Sequence, residues 1–234
     1  MHATQESLLA PSFPTVPASV PSLLSSNPNS HRHKHHYTND YSPSHSLCRK
    51  LATIRDNILI GRSGATPDAQ AVSDAVLHYV DQHEASLSGG EIQVSTVANA
   101  ASQMSYSNRE FRGGRGLLAA LVVAGYDRYN GGQVFGVPLG GTCVKTSGWA
   151  VEGSGSTPLW SKFDSEWTPN MSRDEAERFM KAAIALAIAR DCGCGGCIRL
   201  IPVAANGVSK QFIAGNEVPQ YLEEADVPVT MEMG

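Results

Sequence analysis

Gly153-Ser154-Gly155-Ser156, a helix-patterned run from about Ser172 to Arg190, and then Arg190-Asp191-Cys192-Gly193-Cys194-Gly195-Gly196: this stretch decides how the chain is read. Glycines flanking a lone serine let backbone N–H groups come close to a reacting oxygen. An aspartate at a helix end, followed by a glycine-rich turn, can hold a hydroxyl or an amine in a fixed pose. The helix between the two loops opens on a capping box, Ser172 with Glu175 three residues on. Its apolar positions, Ala176, Phe179, Met180, Ala183, Ile184, Ala187 and Ile188, recur at helical spacing and predict one buried face.

Outward from this core the pattern is that of a packed domain. Leu51-Ala52-Thr53-Ile54, a turn at Asp56-Asn57 and Ile58-Leu59-Ile60 predict a hairpin. Pro67 and Asp68 suit a first helical turn, with Val72, Val76, Tyr79 and Val80 as its buried side. A second helix is expected from Ile92 to Arg112, with Val94, Val97, Ala98, Ala101 and Met104 on one face. Leu117 to Ala124 is a continuous apolar run, hence a strand buried on both faces. Asn130-Gly131-Gly132 turns it into Gln133 to Pro138, and Gly140-Gly141 leads into a further strand over Thr142 to Ala150. After the capped helix come Ile198 to Ala204, an Asn206-Gly207 hairpin signal and Val208 to Ala214. Helices grouped between runs of antiparallel strands imply an α+β chain, two sheets face to face with helical layers outside. That is an αββα four-layer sandwich.

Composition sets bounds on the rest. At 234 residues the chain can bury one sizeable core with a tail left over. A formal charge of -4 gives no electrostatic case for nucleic acid, and the longest apolar run is too short to cross a bilayer. Prolines interrupt the leucine pairs between Ser7 and Ser26 and no basic segment precedes them, so no secretory signal is expected. An odd number of cysteines, three of them between Cys192 and Cys197, argues against a disulfide framework and for a reducing compartment. Residues 1–45 are Ser-, Pro- and His-rich and read as a disordered tail, 46–222 as the folded domain, and 223–234 as a C-terminal tail.

Several further pieces, in order, carry a resemblance: Arg49-Lys50-Leu51, Gly61-Arg62-Ser63-Gly64, Asp68-Ala69-Gln70-Ala71-Val72, Ala124-Gly125-Tyr126-Asp127, Gly131-Gly132-Gln133-Val134 and Pro138-Leu139-Gly140-Gly141. Together with the two loops, they make the chain similar to proteasome β-type subunits, most of all to the caspase-like β1 branch. The resemblance implies the N-terminal-nucleophile hydrolase architecture. It also implies a place in the β ring of the 20S core particle, among other β-type and α-type subunits, in the cytoplasm and nucleus. The work implied is ATP- and ubiquitin-dependent degradation of polypeptide substrates, with no cofactor, nucleic acid or membrane involved.

In that family a threonine freed at the N-terminus attacks the peptide carbonyl, with its own amine as base. The resemblance gives Lys50 the role of the lysine whose charge keeps that hydroxyl acidic. Ser154 takes the place of the serine near the attacking amine, and Asp191 that of the residue orienting it. Cys194 stands where the family has a second serine, and a thiol is a weaker donor there. Arg62 matches the basic residue at the base of the pocket for the side chain before the scissile bond, where a guanidinium selects acidic groups.

The sequence departs from the family upstream of Lys50. The position thirty-two residues before Lys50 is Ala18, between Pro17 and Ser19, and the family's intervening aspartate is replaced by Lys34. Thr4, Thr15 and Thr38 are the threonines before Lys50, and none follows a glycine. The family's first hairpin, with its nucleophile, is therefore expected to be missing from this sequence, leaving the activity open between a threonine-type endopeptidase and a non-catalytic ring member. Two runs also invite a metal reading. His31-Arg32-His33-Lys34-His35-His36 is read as a solvated run without fixed geometry. Cys192, Cys194 and Cys197 have the crowding of a metal loop, but no fourth ligand is evident and the family's glycine-rich turn fits them. No metal is expected.

Overall fold

The computed structural model describes residues 50–87, 90–109, 116–191, 197–204 and 207–219. Strands β1 (Leu51–Arg55), β2 (Ile58–Gly64), β3 (Ala119–Asp127), β4 (Gly131–Val137) and β5 (Val144–Lys145) form one antiparallel sheet in that order. Helices α1 (Thr66–Ser86) and α2 (Val94–Ser107) fall between β2 and β3 in the chain. Helices α3 (Thr157–Glu166) and α4 (Arg173–Arg190) precede the short strands β6 (Ile198–Leu200), β7 (Val203–Ala204), β8 (Gly207–Val208) and β9 (Gln211–Ile213). Of these, β6 pairs with β9 and β7 with β8.

Alternation along the strands builds the layers. Ile58, Ile60, Leu121, Val123, Phe135 and Val137 point to one face of the large sheet and pack against the buried sides of α1 and α2. Leu59, Val122, Ala124 and Val134 point to the other face and meet Ile201 and Val203. Ile198 and Leu200 lie against Leu159 and Phe163 of α3 and Phe179, Met180 and Ala183 of α4. The stack is helices, sheet, strands, helices, as expected of an αββα α+β fold. The expectation that the family's first hairpin is missing falls on residues 1–49, outside the described residues.

Four readings change. Tyr79 is not part of the α1 core: it is 40% exposed and stacks on His83, ring centroids 5.7 Å apart. The second helix is shorter than expected, ending at Ser107 where Asn108 Nδ2 donates to the Met104 carbonyl at 2.8 Å. The strand expected over Thr142 to Ala150 shrinks to β5, because Gly148 at φ 136° breaks the extended run. The last hairpin is cut in two at Ile201-Pro202, since proline has no N–H for a ladder. In addition, α3 is an element that hydrophobic periodicity does not mark. It buries only Leu159 and Phe163, too few apolar positions to show a period.

Candidate functional site

The first hairpin positions two basic residues. Leu51 faces Gly61 and Ala52 faces Ile60, and the Arg62 N–H donates to the Lys50 carbonyl at 2.8 Å. Lys50 and Arg62 are thus cross-strand neighbours. Period two puts both on the face that carries Ala52 and Ile60, the face under α1 and α2. A bulge between Thr53 and Arg55 gives β1 one residue more than β2 across the pair and sets this register. Lys50 Nζ is buried, so its charge acts where solvent screens little.

Arg62 reaches α1. Its guanidinium donates to Gln70 Oε1 on the second turn of that helix, and Gln70 Nε2 donates in turn to Asp74 Oδ1 at 2.6 Å. The carboxylate fixes which end of the Gln70 amide faces the arginine. Gln70 lies in the stretch that carries the resemblance, whereas Asp74 is marked only by its i, i+4 spacing from Gln70 on a helix.

A second contact joins the Gly153–Ser156 loop to the end of α4. Gly153, at φ 116°, turns the chain from the buried Val151 into a 3-10 turn over Ser154–Ser156. A side chain there would be strained, since only glycine adopts such a φ freely. The turn aims the Ser154 hydroxyl at the end of α4, where it donates to Asp191 Oδ2 at 2.6 Å across thirty-seven residues of chain. Asp191 is the C-terminal cap of α4, its own N–H bonded to the Ala187 carbonyl at 2.9 Å. Cys194 and the rest of the run Cys192 to Gly196 lie outside the described residues. Among those that are described, no group of histidine, cysteine and acidic side chains is arranged to hold a metal.

One group near this turn went unremarked in the sequence. Glu152 sits two residues before Ser154, with its Oε1 beside Gly136 of β4. Burial pushes its carboxyl up to about 6. A single carboxylate in a loop has no periodicity to betray its burial.

Comparison with known proteins decides the family. The model of the proteasome subunit family matches residues 34–202, more than two thirds of the sequence. The chain belongs to the proteasome subunit family. Its curated relatives place it with the β type. It is 37% identical over 177 residues to proteasome subunit beta type-6 of Arabidopsis thaliana, covering 76% of this chain and 73% of that one. The Dictyostelium discoideum beta type-6 subunit is 38% identical, over 76% of this chain and 79% of its own length. Human proteasome subunit beta type-9 is 39% identical over 175 residues, 75% of this chain and 76% of that protein. This β-type chain therefore has the N-terminal-nucleophile hydrolase fold that its layers display. The family match reaches upstream to Lys34, into the stretch read from composition as a tail.

Proposed function

We propose that this chain is a β-ring subunit of the 20S proteasome core particle, acting in ATP- and ubiquitin-dependent protein degradation in the cytoplasm and nucleus, and that it carries the supporting half of a threonine-type endopeptidase site with a preference for acidic side chains. The observation that carries the reading is the 2.6 Å bond between Ser154 and Asp191, a hydroxyl held by a carboxylate at the end of a helix. In threonine-type hydrolysis the attacking hydroxyl gives its proton to a neighbouring amine. The scissile carbonyl carbon gains the new C–O bond, and the proton later passes to the leaving amine as the C–N bond breaks. Ser154 and Asp191 would hold the attacking amine, with Cys194 as a weaker third donor. The buried charge of Lys50 would favour the oxyanion form of the hydroxyl. Arg62, held in place by Gln70, would pair with a carboxylate on the residue before the cut.

A second reading has its own observation. No threonine before Lys50 follows a glycine, which favours a non-catalytic ring member that contributes packing surfaces. One experiment separates the two. Assembled particles are isolated from the source, treated with an epoxyketone warhead, and this subunit's first residue is read by mass spectrometry. A labelled N-terminal threonine establishes the peptidase. An unlabelled N-terminus within the particle establishes the ring member, and absence of the chain from the particle overturns both.

A further inference from the structure

An open cleft of about 250 Å³ lies between the β3–β4 turn, the segment leaving β5, and the α3–α4 connection. None of Lys50, Arg62, Ser154 or Asp191 lines it. Its walls are held by three separate devices. The β3–β4 turn is fixed by Asp127, which accepts from the Tyr129 and Asn130 N–H groups at 3.0 and 2.7 Å and from Gln133 Nε2 at 2.7 Å. Past β5, Gly148 packs against the Trp167 indole so closely that a Cβ would fall 2.3 Å from a ring carbon. The α3–α4 connection runs through Asn170, held in the left-handed region at φ 69°, into the Ser172–Glu175 capping box of α4. A cleft with walls fixed in this way is preformed, so a ligand meets little ordering cost.

The lining specifies the chemistry. Among the described residues that line it, Lys145 is the single charged one, with no carboxylate and no guanidinium facing the space. The side chains of Lys145, Ser147, Thr168 and Asn170 are exposed, so an ammonium, two hydroxyls and an amide line the cleft within reach of a ligand. Trp167 and Met171 supply an apolar wall. One ammonium balances one negative charge, and the N-terminus of α4 is already taken by the carboxylate of Glu175. A phosphate dianion would remain half-neutralised, whereas a carboxylate would be matched. The volume corresponds to about eight water molecules' share of liquid, which is the scale of one amino acid rather than a drug-sized ligand.

We propose that this cleft is a binding site for a small monocarboxylate with an apolar body, its carboxylate on Lys145 and its body against Trp167. The test uses the full-length chain and three probes: N-acetyl-leucine, its neutral amide N-acetyl-leucinamide, and inorganic phosphate, followed by calorimetric titration and tryptophan emission. N-acetyl-leucine is expected to bind in the millimolar range or tighter and to shift the emission, with the amide about tenfold weaker and phosphate not competing. Lys145 is exposed, so its replacement is expected to leave the fold intact, which a melting curve checks. Lys145→Met should weaken N-acetyl-leucine about tenfold while Lys145→Arg retains it. No millimolar binding of N-acetyl-leucine, equal binding of acid and amide, tighter binding of phosphate, or an affinity unchanged in Lys145→Met would each overturn the proposal.

Discussion

Glu152 shows how one side chain can set a pH dependence. An unfolded chain ionises this carboxyl near its ordinary value of 4.5, while the folded chain holds its proton until about 6. Because the fold raises the pKa of an acid, the unfolded state binds fewer protons across that window. Stability therefore falls as pH rises from 4.5 to about 6, and the full penalty stands at neutral pH. Glu152→Gln should stabilise the chain by about 1 kcal/mol near neutral pH, the partial exposure of the group having been discounted. The gain should vanish at about pH 4, as paired thermal melts would show. Nothing in the sequence marked this group, whereas the Ser154–Asp191 contact was implied by the resemblance to proteasome β-type subunits, in which Asp191 matches the residue that orients that serine. That contact invites a double-mutant cycle. Ser154→Ala, Asp191→Ala and the pair should give a coupling of about 1 kcal/mol by chemical denaturation, reflecting an exposed bond to a charged acceptor.

Among the elements, the β3–β4 turn and the start of α2 depend on one another through Asp127. That carboxylate is fully buried and accepts the Val94 N–H, the first of α2, at 3.1 Å, besides its bonds within the turn. Removing it leaves five donors short of a partner at once, the Asn130 side-chain amide among them. Asp127→Ala should cost about 3 kcal/mol or more in denaturant titrations, against about 1 kcal/mol for Ser172→Ala at the α4 cap. The capping box could be read directly from the sequence because both partners lie three residues apart. Asp127 could not, since Val94 is thirty-three residues away and only the closed sheet brings them together. For the same reason the strand after Gly140-Gly141 was overextended. Its limit is the approach of Gly148 to Trp167, a contact made across the fold.

At the scale of the whole molecule, layer order was legible from the alternation of strands and helices, but the strength of each layer was not. The large sheet has long, continuous ladders between β2, β3 and β4, while the strands on the other side of the middle layer pair over two or three residues each. Amide hydrogen exchange should show β2 to β4 opening only with global unfolding, and β7 and β8 exchanging by local opening at lower free energy. Equal protection across both would contradict that picture. The bulge in the first hairpin has a consequence for how such a chain can change over generations. Arginine and lysine share a side of the sheet only because the number of links between them has the right parity. Swapping residues within that hairpin leaves the two cations under the helices. Gaining or losing a single one would turn the lysine to the opposite face, among Leu59, Val122 and Val134, so this stretch can tolerate spelling changes but not a change of length.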